Sequence, residues 1–279
     1  MGRALVMGLA TEHEVTVLSR NPFTIEGVER WVGDRLESLP QVPGNHFDLV
    51  IDFIAYDDQG LEIILPKTPH YLAISSLWLC RGYGVRADQS VEACAPFASA
   101  DLPDVTVNYL QGKRKLENAL LSSEWSRTGV IRFPILWGRD DHTARLTYYR
   151  DRILSNQPCY LTPEAQSSAQ ILWSEDAVRV LIGAISCRLS SLEGIWEALT
   201  DSQGLLVREW IELIGKAVGR DPIFKTLAST EGEELLEEDP LFREKVVEKS
   251  PHNLFDLMGF TPTPPAEWLR KSLVEEDRD

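Results

Sequence analysis

The chain has 279 residues, 43% of them hydrophobic, which is enough for one large domain or a large domain carrying a smaller one. Its 28 basic and 43 acidic residues leave a formal charge of −15, so broad binding to nucleic acid or to an anionic membrane has no electrostatic basis. The four cysteines, Cys80, Cys94, Cys159 and Cys187, form no C-x-x-C pair and stand beside no histidine at metal-ligand spacing. This excludes a recognisable zinc site or disulfide framework and leaves buried free thiols of a cytoplasmic protein as the expectation. No apolar run approaches the length of a membrane span. The N-terminal stretch is too short for a secretory signal, and the context of Gly2 lacks the Ser or Thr of a myristoylation signal.

In chain order, Gly2 to Ala10 has helical spacing through Leu5, Val6 and Leu9. Glu14 to Ser19 is short, β-branched and apolar, and reads as a buried strand. Val28 to Val32 reads as another, ended by Gly33 and Asp34. Phe47 to Ile54 (F-D-L-V-I-D-F-I) is the clearest strand in the chain. A short helix over Gln59 to Leu65 and a strand over Tyr71 to Ile74, ending in Ser75 and Ser76, come next. Asn108 to Ser122 carries a helical apolar stripe through Leu110, Leu116, Leu120 and Leu121, and Gly129 to Phe133 is again a strand. Strands that are apolar throughout, alternating with helices, imply a parallel sheet covered on both faces.

After Pro134 the texture changes. Arg145 to Leu154, Glu175 to Ile185 and Leu205 to Val218 read as helices, the last ended by Gly219. Thr230 to Asp239 is acidic and reads as a solvated segment. The tail from Asn253 has a helix, a stop at Gly259, a T-P-T-P-P turn and a last helix. This half shows little sheet character. The fold class expected is α/β, a parallel sheet covered by helices, with a smaller, mainly helical C-terminal part. The division expected is into 1–134 and 135–279, with 167–186 free to return to the first part.

Several strings resemble the extended short-chain dehydrogenase/reductase family, also called the NAD-dependent epimerase/dehydratase family. Gly2-Arg3-Ala4-Leu5-Val6 and then His13 to Arg20 are similar to its first helix and second strand, and Val32-Gly33-Asp34 to its third strand and acidic turn. Ile74-Ser75-Ser76 resembles the strand ending at the catalytic serine, and Tyr109-Leu-Gln-Gly-Lys113 is its Y-x-x-x-K. Arg132 to Gly138, Glu175-Asp176-Ala177 and Leu257 to Phe260 follow in the right order. The ordered set covers nearly the whole chain and carries the resemblance, since no single string is decisive. It implies a doubly wound parallel Rossmann-type sheet that binds NAD(P) in 1–134 and a smaller, mainly helical substrate-binding domain in 135–279.

The family opens with a strand and a G-x-x-G-x-x-G turn. Here Gly2 matches only its last glycine, so the first strand and two glycines are absent from this sequence. That strand is central in a doubly wound sheet, and the turn after it holds the cofactor pyrophosphate on a helix N-terminus. The expectation is that Met1 is an internal methionine of a longer protein, the alternative being a protein that has lost full cofactor binding.

Tyr109 and Lys113 stand four apart on a helix and share a face. A nearby ammonium favours phenolate, which would let Tyr109 act as general acid or base on a substrate hydroxyl or carbonyl. The resemblance implies that Lys113 also holds the nicotinamide ribose and that Ser76 bonds the substrate oxygen. Ser76 is chosen over Ser75 because the family's serine stands four residues before an aromatic, a place held here by Cys80. Gly112 is expected to keep the helix surface low beside the cofactor. Gly2, Ser19, Arg20, Asp34, Arg35, Phe53, Ile54, Ala55, Tyr56 and Phe133 complete the expected cofactor site. Arg20 follows the second strand where an acid would select NAD, so NADP is expected over NAD.

Trp78, Trp137, Tyr148 and Trp173 are candidates for the substrate side, and Arg139 or Arg145 for a phosphate. The function expected is an NAD(P)-dependent oxidoreductase, epimerase or dehydratase acting on a small-molecule alcohol or carbonyl, a nucleotide sugar among the candidates. The rival readings are a catalytically inactive NAD(P)-binding or regulatory protein on the same fold and an RNA-binding relative, which the charge disfavours. No metal, membrane or nucleic-acid partner is expected, and a homodimer is implied by the resemblance alone.

Overall fold

The computed structural model describes residues 1–38, 47–83, 104–124, 127–138, 141, 143–161, 168–188, 192–200, 204–226 and 252–274. The chain divides into two units. The first comprises Met1–Phe133, Val178–Ala198 and Ser250–Gly259, and the second comprises Pro134–Ala177, Leu199–Lys249 and Phe260–Asp279.

In the first unit the expected strands form, and they pair only in parallel. β1 (Val15–Ser19) pairs with β2 (Val28–Val32), Val15 opposite Val28 and Ser19 opposite Val32. β3 (Val50–Asp52), β4 (His70–Ser76), β5 (Arg127–Phe133) and a further strand, Gly194–Glu197, make a second sheet in the order Gly194–Glu197, β5, β4, β3. Ser75 stands opposite Arg132 and Ser76 opposite Phe133 in the β4–β5 register. No ladder joins β1 to β3 among the described residues. The resemblance expects a further strand at that place. All five residues of β1 are half-buried, unlike those of a central strand.

Helices α1 (Gly2–Leu9), α2 (Arg35–Ser38), α3 (Leu61–Ile64), α4 (Trp78–Tyr83) and α5 (Asp104–Leu121) belong to this unit. Leu116 and Leu120 of α5 pack with Tyr71 and Ala73 of β4 and Val130 of β5, while Leu110 of the same stripe packs with Leu79 of α4 and Leu121 is exposed. β3 is shorter than the Phe47 to Ile54 run. Asp52 ends it, because Oδ1 accepts the N–H groups of Ile54 and Ala55, both at 2.9 Å, and takes them out of a ladder.

The second unit contains β6 (Ile135–Trp137), α6 (Arg145–Leu154), β7 (Pro158–Leu161), β8 (Ser168–Ala169) and β9 (Ile171–Trp173). α7 (Ser174–Arg188) starts in it and runs into the first unit. Gly194–Glu197 is β10, and β11 (Leu205–Leu206), α8 (Val207–Val218) and β12 (Ile223–Thr226) follow. α9 (Leu254–Met258) belongs to the first unit, α10 (Pro265–Val274) to the second. Helix predominates in the second unit, but three two-stranded sheets, β6–β9, β7–β12 and β8–β11, add strand where the sequence showed little. Strands of two to four residues are too short to display a period. The run from Leu205 divides into β11 and α8 because Glu209 accepts the Leu206 N–H at 2.7 Å and caps the helix there. Gly219, at φ +71°, ends α8. Trp137, Trp210 and Trp268 form the centre of this core, with ring centres 5.8 to 6.3 Å apart. No helix among the described residues is long and apolar enough to cross a membrane.

Candidate active site

The C-terminal end of β4 and the first half of α5 bring together the three residues expected to do chemistry. Ser76 is the last residue of β4, and its Oγ accepts the N–H of Trp78 at 3.2 Å. Tyr109 of α5 is half-buried and packed with Trp78 against Leu79 and Leu110, with the Ser76 hydroxyl near enough to act on its phenol. Lys113, one turn on and only 4% exposed, sends Nζ to the carbonyl oxygens of Ala55 and Ile74, both at 2.8 Å. Its ammonium lies 5.7 Å from the ring centre of Tyr56 and 5.9 Å from that of Tyr109, and those two rings meet edge to face at 6.0 Å. Lys113 thus ties the ends of β3 and β4 to α5.

The electrostatics differ from the expectation. Burial lowers the Lys113 ammonium to about 8, while Asp52 and Glu117 act in the opposite direction. The Tyr109 phenol is raised, not lowered. Its burial outweighs the opposing effect of the Ser76 hydroxyl, and Tyr56 and Glu117 raise it further. The Lys113 ammonium is directed at two backbone carbonyls. A phenol raised in this way keeps its proton near neutral pH.

The expected cofactor residues fall into two groups. Ile54 at 45% exposure and Tyr56 at 65% stand open to solvent just past the C-terminal end of β3. Phe53, just before them in sequence, is half-buried. Such residues fit a flat ligand lying across the strand ends. Arg20 is exposed and makes no hydrogen bond or ion pair among the described residues, and Ser19 bonds locally to Asn21. The second group is committed elsewhere. Arg35 gives Nε to Asp52 at 2.8 Å and Nη1 to the Gln59 carbonyl, with Nη2 buried and without a partner among the described residues. Asp34 accepts the Leu36 N–H at 2.9 Å and shapes a turn. The Ala55 side chain is buried, and only its carbonyl faces the site. Phe133 is core, and its carbonyl accepts the Leu77 N–H at 3.0 Å. Gly2 opens α1, where no side chain caps the first-turn N–H groups. Gly112 does lie at a close approach, but to backbone: a Cβ there would stand 2.5 Å from the Tyr56 carbonyl oxygen.

On the substrate side, Trp137 and Trp173 are buried in the core of the second unit, and Tyr148 packs against that core. Arg145 is half-buried, and Arg139 lies outside the described residues, as do Cys94 and the acidic Thr230 to Asp239 stretch. Sequence reasoning missed four buried polar residues: Asp52, Tyr71, Glu117 and Arg132. Asp52 Oδ2 accepts from Arg35 and, at 2.8 Å, from the Tyr71 hydroxyl. Their signal was a charge inside an apolar strand, in V-I-D-F and V-I-R-F, and Glu117 four residues past Lys113 on one helical face.

No family model and no curated protein matches the sequence. Solved structures do match it. The UDP-N-acetylglucosamine 4-epimerase from Methanobrevibacter ruminantium, in complex with UDP-N-acetylmuramic acid, superposes with a TM-score of 0.67 at 14% identity, over 97% of this chain and 93% of that one. The Bordetella bronchiseptica enzyme WbmG in complex with NAD gives 0.71 at 14% identity, over 99% and 90%. TunA, an NAD-dependent NDP-hexosamine 5,6-dehydratase of tunicamycin biosynthesis, gives 0.65 at 16% identity, over 100% and 95%. The chain has the α/β fold that these three proteins share, a Rossmann-type parallel sheet with flanking helices, in agreement with the resemblance that its motifs carry.

Proposed function

We propose that the chain is a nicotinamide-dinucleotide-dependent enzyme of the oxidoreductase, epimerase or dehydratase kind acting on a nucleotide sugar, with Tyr109 as general acid and base. The observation that carries this reading is the convergence of Tyr109, Ser76 and Lys113 at the end of β4 beside exposed apolar side chains. The solved structures of the same fold, whose names mention NAD or UDP-sugars, support the substrate class.

A bound dinucleotide supplies the hydride acceptor or donor. The chain's own residues do the rest. Ile54 and Tyr56 offer exposed apolar surface that a bound dinucleotide would cover. Ser76 and Tyr109 offer two hydroxyls to one substrate oxygen, and Tyr109 gives or takes its proton as the carbon is reduced or oxidised. Lys113 keeps one N–H beyond the two bonded to carbonyls, enough for a ribose hydroxyl. Arg20, exposed and uncommitted, is the residue that would favour a 2′-phosphate and hence NADP over NAD.

Calorimetric titration with NAD and with NADP tests the cofactor. Incubation with UDP-glucose and UDP-N-acetylglucosamine in the presence of the bound cofactor tests the chemistry. Tyr109→Phe is expected to retain cofactor and to lower turnover by about 10²–10⁴-fold. Binding of neither dinucleotide would overturn the enzyme reading, while binding without turnover of any nucleotide sugar would favour a regulatory, cofactor-sensing protein.

A further inference from the structure

Beside the Tyr109–Ser76 pair lies a second set of buried polar groups that the proposed chemistry does not use. Glu117 continues the face of α5 that carries Tyr109 and Lys113, one turn beyond the lysine. It has no solvent exposure, and neither has Arg132. Oε1 of Glu117 accepts the Ser75 hydroxyl at 2.6 Å and Arg132 Nε at 3.1 Å, and Oε2 accepts Arg132 Nη2 at 2.5 Å. Arg132 stands opposite Ser75 in the β4–β5 register and reaches the Cys80 sulfur of α4 through Nη1 at 3.2 Å. Side chains from β4, β5, α5 and α4 are thus joined through a single ion pair.

Burying both charges is costly, and such a pair is weak evidence for stability as such. What a bidentate carboxylate–guanidinium pair does impose is geometry. Glu117 receives its donors from two adjacent strands, so it can sit at only one place along them. Tyr109 is eight residues before Glu117, about 12 Å along the helix axis. Ser76 is the residue after Ser75. Whether the phenol meets the Ser76 hydroxyl is therefore a matter of where α5 stands along β4. Lys113, bonded to the Ile74 carbonyl, is a second strut between the same two elements.

We infer that Glu117, held by Ser75 and Arg132, is a positioning residue that sets the register of α5 on β4 and so keeps Tyr109 against Ser76. The inference rests on the Tyr109–Ser76 reading of the site.

The test uses the full chain labelled with ¹³C at the tyrosine ring, with the Tyr109 signal assigned by its loss in Tyr109→Phe. Glu117→Ala strands a buried guanidinium and risks unfolding, so Ser75→Ala decides. It removes a hydroxyl bonded to Glu117, not to Tyr109. The expected result is that the Tyr109 Cζ resonance shifts towards its position in Ser76→Ala. Val130→Ala, which removes buried packing from β5 but no polar group, is expected to lower the melting temperature and leave that resonance in place. The inference is overturned if Ser75→Ala keeps the parent resonance, or if Val130→Ala moves it as far. Cofactor calorimetry on the parent is read separately. A Ser75-dependent shift in a chain that binds no dinucleotide would leave the positioning role standing and remove the enzyme reading.

Discussion

Lys113 carries its charge where water scarcely reaches it, and the consequence is measurable without any substrate. Its ammonium falls from an ordinary 10.5 to about 8 through burial, with Asp52 and Glu117 opposing the fall. Below about pH 8 the residue is charged folded and unfolded, and stability bears the whole cost, on the order of 3 kcal/mol. Between pH 8 and 10.5 the unfolded chain holds a proton that the folded chain has released, so stability rises with pH across that window. Urea unfolding at pH 7.5 and 9.5 should show the parent gaining about 2 kcal/mol relative to Lys113→Met, whose own change with pH lacks this contribution. Equal changes in the two proteins would mean that Lys113 is not charged and desolvated as described. The Y-x-x-x-K spacing revealed the shared face of Tyr109 and Lys113, because helical periodicity is local. The direction of the ammonium was not legible, since its partners Ala55 and Ile74 are 58 and 39 residues away in sequence.

At the scale of elements, buried polar side chains set where strands stop and helices start. Asp52 stops β3, and Asn253 starts α9. The Asn253 Oδ1 accepts the Phe255 N–H at 2.8 Å and the Asp256 N–H at 3.4 Å, while Nδ2 donates to Glu197 of β10 at 3.0 Å. One amide therefore caps a helix and serves a fully buried carboxylate. Asn253→Ala should cost about 2–4 kcal/mol, roughly 1 for the cap and the remainder for the donor taken from Glu197. Chemical denaturation measures it, and a loss under about 0.5 kcal/mol, typical of a plain surface site, would refute this account. Such double duty explains why boundaries were harder to read than elements. The apolar run over Phe47 to Ile54 was plain, but only the folded chain shows Asp52 withdrawing two N–H groups from the ladder.

For the whole molecule, the charge of −15 sets the background against which any anionic cofactor must bind, so the few cations near the strand ends matter. Arg35 is engaged by Asp52, whereas Arg20 is exposed and uncommitted among the described residues. A ligand that binds only the folded state raises the melting temperature with its concentration. NADPH is expected to raise it more than NADH at equal concentration, and Arg20→Ala to remove the difference. An equal shift by both in the parent would show that Arg20 does not select the 2′-phosphate.

The sequence by itself determined the alternation of strands and helices, the parallel sheet that such apolar strands require, and the order of motifs around Ser76, Tyr109 and Lys113. Each follows from spacing within a few residues. Only the tertiary structure decided that the sheet is interrupted between β1 and β3, that Arg35 belongs to Asp52, that Tyr109 keeps its proton, and that Glu117 and Arg132 pair in the core. These depend on burial and on partners distant in sequence. Desolvation and hydrogen-bond geometry act on groups that meet only when the chain has folded.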